Sequence, residues 1–259
     1  MTVTPIVALD MGSLAEATTV VDRLDGLCRF YKVGQELFTA EGPRIVRALR
    51  EHNLEVFLDL KFHDIPNTVR AAVRTAAALG VRLVTVHAAG GAAMLAAAVE
   101  GAAEGTATLP KSGSQRGRGR QGVSLGPSGC GVLAVTVLTS MRAADVGEAW
   151  GRDARSISVE AEVLRLAGMA SAAGAYGLVC SGAEVRAVRA VHGDALALLV
   201  PGIRPAGGAA HDQARVVTPG EAARSGAHYL VIGRAVTGAA DPREAMNAVL
   251  AEIGESTAA

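Results

Sequence analysis

"EVFLDLKFHDIPNTVRAAVRTAAALGVRLVTVHA", residues 55–88, holds two short apolar runs around a longer Ala-rich one. The outer runs, "EVFLDLK" (55–61) and "RLVTVHA" (82–88), have the length and residue types of strands. The middle run, "TVRAAVRTAAALG" (68–80), reads as an amphipathic helix. Near-continuous apolar strands separated by helices predict parallel strands, covered on both faces or closed on themselves.

The unit repeats along the chain. Further strands are predicted at "PIVALD" (5–10), "FYKVG" (30–34), "GVLAVTVL" (131–138), "GLVCSG" (177–182), "LALLVPGI" (196–203) and "YLVIGR" (229–234). Further helices are predicted over 92–105, 158–174 and 241–253, the last opened by Asp241 as cap and Pro242 at its first position. Eight repeats in a chain of 259 residues match a single-domain (β/α)8 TIM barrel spanning 1–259. A doubly wound open sheet is the alternative, but the first strand–helix turn, "LDMGSLAEA", lacks a dinucleotide fingerprint.

Composition narrows the function class. With 25 basic and 25 acidic residues, no global field favours nucleic acid or an acidic membrane. Aromatics are only 3%, so the core must come from Val, Leu, Ile and Ala. Three scattered cysteines give neither metal spacing nor a disulfide framework, which fits a reducing cytosol and a cytoplasmic enzyme or binding domain. No run approaches the ~20 apolar residues that span a bilayer. One segment, 105–130, breaks the rhythm: it is rich in Gly, Ser and Arg, and reads as a flexible surface insertion. Lys111, Arg116, Arg118 and Arg120 raise an RNA-tether reading, but no aromatic lies among them to stack on a base.

In a barrel, chemistry sits at the C-terminal strand ends. Polar residues recur there: Asp10, Lys32, Asp59 with Lys61, His87 and Thr139. Asp59 and Lys61 are two apart and leave the strand on one face, with Leu58 and Leu60 on the other. Asp64 has a mundane alternative as a cap for the helix that Pro66 begins. Lys32, Asp59, Lys61 and Asp64 together make a charge-balanced array in which each charge favours its neighbours' ionised forms. After strands 7 and 8, Pro201, Gly202, Arg204 and Gln213, then Gly233 and Arg234, occupy the usual phosphate loops of such barrels. The Gly-rich stretch 205–210 reads as a lid over that phosphate. His87 is either a ligand contact or a packed imidazole, and His63 has no assignable role. No metal-ligand spacing is found among the histidines.

These stretches together resemble the orotidine 5′-phosphate decarboxylase family. The matching segments are "VALD" (7–10), "FYKVG" (30–34), "FLDLKFHDIPNT" (57–68), "VTVHAAGG" (84–91), "VTVLTS" (135–140), "PGIRP" (201–205) and "VIGRAVT" (231–237). The resemblance implies a cofactor- and metal-independent decarboxylation of orotidine 5′-phosphate to UMP. Lys32, Asp59, Lys61 and Asp64 would be its catalytic tetrad, with Lys61 the proton donor. It further implies a homodimer in which Asp64 and Thr68 cross into the partner's site. Asp10, Lys32 and Thr68 would hold the ribose, Thr139 the pyrimidine, and Arg204, Gln213, Gly233 and Arg234 the phosphate. Related Mg²⁺-dependent sugar-phosphate enzymes resemble the same core but carry a carboxylate at the end of strand 2. Here "YKVG" puts Lys32 there, although Glu36 is close. A binding barrel without catalysis would need to have lost the tetrad, which is complete.

Overall fold

The computed structural model describes residues 3–110, 129–204 and 217–258. Among these, eight parallel strands pair in chain order and close into a barrel, β8 returning to β1. They are β1 (Thr4–Leu9), β2 (Phe30–Gly34), β3 (Glu55–Phe62), β4 (Leu83–His87), β5 (Gly131–Val135), β6 (Gly177–Val179), β7 (Ala197–Val200) and β8 (Tyr229–Ile232). Helices separate them, as the sequence pattern predicts. Among the described residues no helix is long and apolar enough to cross a membrane.

Strand alternation divides the buried residues into two sets. One set, including Ile6, Ala8, Phe30, Phe57, Leu83, Leu133 and Val231, fills the barrel interior. The other, including Val7, Leu9, Tyr31, Val33, Leu58 and Val84, packs outward on the helices. Burying each Val, Leu, Ile or Phe among them contributes about 1.5–3 kcal/mol, so the register of every strand is fixed by two faces at once. Stepping two residues along the inner face carries Ile6 and Ala8 to Asp10, Phe30 to Lys32, Phe57 to Asp59, and Leu83 to Thr85. The same periodicity that builds the core therefore delivers the polar residues to the barrel mouth.

Several boundaries differ from the sequence reading. Strands 5 to 8 stop earlier than their apolar runs, because residues beyond the ladder, such as Val137 and Ile203, remain buried in loops at the mouth. The Ala92–Ala107 helix contains Gly105, so the segment expected to begin at 105 begins after this helix. At its far side Cys130 is buried and the Gly129 carbonyl accepts from Arg82, so these residues belong to the barrel. Lys111, Arg116, Arg118 and Arg120, and with them the flexible-insertion reading of the segment, lie outside the described residues.

The Ala92–Ala107 helix packs closely on the Pro66–Ala78 helix. A Cβ on Gly101 would run into the Arg70 carbonyl, and one on Gly105 into that of Arg74. The contact is backbone against backbone, and Arg70 and Arg74 reach over it to Glu104. At the chain's end, Asp241 caps the Pro242–Ala258 helix by accepting from the Arg243 and Glu244 amides, as its position predicts.

Candidate active site

A cavity of about 540 Å³ opens at the C-terminal mouth of the barrel. Asp10, Lys32, Asp59 and Lys61 line one side, from β1 to β3. Val135, Val179, Leu199 and Val231 form its apolar floor and far wall. Thr139, Pro201, Gly202, Arg204, Gly233 and Arg234 reach it from the loops after β5, β7 and β8. The volume suits a ligand of nucleotide size.

The charges form one connected row. Lys32 Nζ lies 2.6 Å from Asp10 Oδ1 and 3.8 Å from Asp59 Oδ2. Lys61 Nζ donates to Asp59 Oδ1 at 2.9 Å. Lys32 is 8% exposed and the Asp59 side chain 13%, whereas the Asp10 side chain is 58% exposed. Asp59 thus sits between two ammonium groups in a partly dry setting, where its attraction to them is stronger than in water. Gly34, next on the inner face of β2, leaves the row its room: a Cβ there would lie 2.9 Å from Lys32 Nζ and 3.1 Å from Asp10 Oδ1.

Lys61 reaches the row by an irregular route. The β3–β4 ladder runs through Leu58↔Val84 and resumes at Phe62↔Val86, so three residues of β3, 59–61, oppose one of β4, Thr85. Within this bulge Lys61 adopts φ 52°, a left-handed conformation costing a non-Gly residue about 1–2 kcal/mol. Asp59 and Lys61 do share a face, but through a bulge rather than through a regular strand. Such strain persists only where the surroundings over-determine it. Here Thr85 does so: the Lys61 N–H donates to Thr85 Oγ1 at 2.9 Å, and the Thr85 hydroxyl donates to Asp59 Oδ1 at 3.0 Å. Sequence reasoning missed Thr85. The available signal was a hydroxyl on the inward face of β4, two residues past Leu83.

The other expected residues divide. Asp64 does not cap its helix; Ile65 holds the cap position and Pro66 the first turn, while Asp64 Oδ1 accepts from the Ile65 amide at 2.6 Å. Residues 63–68 are all exposed, Ile65 at 67%, and neither Asp64 nor Thr68 lines the cavity of its own chain. His87 does not line it either; its ring lies 5.4 Å from that of His63. Burial first, then electrostatic repulsion from His63 and Lys61, pushes the His87 pKa below its ordinary value, with Asp59 opposing. Arg204 is buried, its Nη1 donating to the Ile203 carbonyl and its amide to the Val217 carbonyl. Gly202 takes φ 75°, which a side chain would strain, and so turns the chain from β7 towards Arg204. Gln213 and the 205–210 lid lie outside the described residues. Glu36 is exposed in the first turn of the Gln35–Glu41 helix, and among the described residues no three His, Cys, Asp or Glu side chains gather in a metal-holding group.

Fold and site together define a (β/α)8-barrel enzyme with a row of fixed charges at the ends of its first three strands. The chain belongs to the orotidine 5′-phosphate decarboxylase / HUMPS family, whose model matches residues 4–249. A relative from Pseudomonas syringae pv. syringae (strain B728a), named orotidine 5′-phosphate decarboxylase, is 46% identical over 249 residues, covering 96% of each chain. One of the same name from Anaeromyxobacter sp. (strain K) is 48% identical, covering 94% of this chain and 95% of its own. The crystal structure of orotidine 5′-phosphate decarboxylase from Lactobacillus acidophilus superposes with a TM-score of 0.79 at 34% identity, covering 98% of this chain and 99% of that one.

Proposed function

We propose that this enzyme decarboxylates orotidine 5′-phosphate to UMP and CO₂ without metal or organic cofactor. The observation that carries the reading is the Asp59 carboxylate, held by Lys61 at 2.9 Å, Thr85 at 3.0 Å and Lys32 at 3.8 Å beside an apolar-walled cavity. Breaking the bond between C6 and the carboxylate leaves an electron pair on C6 with no carbonyl placed to delocalise it. The site must stabilise that pair electrostatically, and groups fixed in advance do so without reorganising. The Lys61 ammonium faces the developing charge and then gives C6 its proton, CO₂ departs, and Lys61 is reprotonated from solvent. Asp59 stands near the departing carboxylate and holds the Lys61 ammonium in place.

Binding energy comes from the far end of the substrate. Arg204 and Arg234, with the amides after β7 and β8, take the phosphate through charge-assisted hydrogen bonds. Thr139 meets the pyrimidine, and Asp10 and Lys32 the ribose. Asp64 and Thr68, exposed on their own chain, complete the partner's site in a homodimer. The test is to follow loss of orotidylate absorbance with and without chelator. Turnover unaffected by chelator is expected; no turnover, or turnover that chelator abolishes and Mg²⁺ restores, overturns the reading.

A further inference from the structure

The β3 bulge leaves residues 59–61 without ladder partners on β4, and one side chain fills the gap. A buried backbone N–H needs an acceptor, and that of Lys61 finds Thr85 Oγ1 at 2.9 Å. The Thr85 hydroxyl has a single proton, which goes to Asp59 Oδ1 at 3.0 Å, because an ionised carboxylate can only accept. The same oxygen receives Lys61 Nζ at 2.9 Å. Both ends of Lys61, amide and ammonium, are therefore tied through two oxygens into one closed ring. Thr85 is fully buried, so no bulk water can take its place, and it does not line the cavity.

Resting on the decarboxylase reading, we infer that Thr85 is a positioning residue for this reaction. Its hydroxyl sets the spacing between the Asp59 carboxylate and the Lys61 backbone, and so fixes where the Lys61 ammonium stands when C6 becomes basic. It touches no substrate atom. Its removal frees Lys61 to relax from φ 52° and carries Nζ off line, while the ribose and phosphate contacts stay as they were.

Thr85→Val keeps the shape and deletes the hydroxyl. The expected result is a fall in kcat of roughly 10- to 100-fold, the size of one lost hydrogen bond to a charged group. Affinity for UMP should stay within about threefold, since UMP binding draws on contacts that Thr85 does not make. Thr85→Ser, which keeps the hydroxyl, should restore most of kcat. Should Thr85→Val fail to fold, Thr85→Ala against Thr85→Ser makes the same comparison with the methyl absent from both. A Val or Ala variant that turns over as fast as Ser, or one that loses UMP affinity in proportion to kcat, overturns the inference. Wild-type protein is assayed first: if it does not consume orotidylate, the functional reading fails with this one. If it does and the hydroxyl makes no difference, only the role of Thr85 fails.

Discussion

The two halves of the barrel mouth are built differently. From β1 to β4 the inward face ends in Asp10, Lys32, Asp59 and Thr85, side chains carried on or at the end of strands and bonded to one another. From β5 to β8 the inward face stays apolar to the last rung, with Val135, Val179, Leu199 and Val231, and the polar groups come later from loops. Side chains bonded to one another across neighbouring strands are held more closely than side chains carried on a loop. The charge-bearing half is therefore suited to reacting atoms, and the loop half to gripping a group that only needs to be bound. Glycine and proline mark the second half, at Pro201, Gly202 and Gly233, where the chain borders the cavity with little or no side chain.

The largest effect should fall on the first half. Lys61→Ala is expected to lower kcat by on the order of 10³-fold or more, with UMP affinity kept, because the ammonium acts mainly on the transition state. Single-turnover assays beside UMP titration measure both, and a preserved kcat would remove Lys61 from proton transfer.

A second experiment asks whether one chain holds the whole charge-bearing half. Asp64→Ala and Lys61→Ala homodimers should each be nearly inactive. After subunit exchange, about half of the dimers are mixed, and each mixed dimer has one undamaged site, so roughly a quarter of wild-type activity should return. Exchange confirmed by mass without recovered activity would place Asp64 in its own chain's site.

On the loop half, Arg234→Ala should weaken kcat/KM for orotidylate roughly 10- to 100-fold and leave turnover of orotidine, which has no phosphate, nearly unchanged. Equal losses on both substrates would make Arg234 structural rather than a phosphate ligand.

The smallest effect concerns His87, whose folded pKa lies below its ordinary 6.5, chiefly through burial. Between the folded and unfolded pKa values the unfolded chain binds more protons, so stability rises with pH. On acidification it should start to fall near pH 6.5 and level off below the folded pKa. Denaturant melts of wild type and His87→Gln at pH 7 and pH 5 test this, and the variant should lose less stability over that interval. An identical decline in both would leave His87 without a part in it.

How much of this was legible follows the same division. The eight strands and their order are readable because β-branched apolar runs alternate with helical ones, and both faces of each strand are buried. Asp59 and Lys61 stand out because charges in such a run need a reason to be there. The ends of β5 to β8 were not readable, since Val137 and Ile203 are as apolar and as buried as ladder residues. The bulge in β3 was not readable either: no Gly or Pro interrupts 55–62, and the residue that bends, Lys61, is not one that favours the left-handed region. Thr85 was missed for the same reason. A threonine is an ordinary strand former until a bulge opposite gives its hydroxyl two partners.

The glycines of the Ala92–Ala107 helix have a consequence away from their own contact. Gly101 and Gly105, one turn apart, seat on the carbonyls of Arg70 and Arg74, also one turn apart, like two teeth in two notches. Re-seating both requires a slide of a whole turn, ~5.4 Å, and any smaller slip lifts one helix off the other. The Pro66–Ala78 helix is thereby indexed against the module that follows β4, and the exposed strip 63–68 at its head takes its bearing from that index. Gly101→Ala would leave the row of charges at the barrel mouth where it is. What it would disturb is the placement of the strip 63–68, and under the proposed shared site the fault would appear only when two subunits meet.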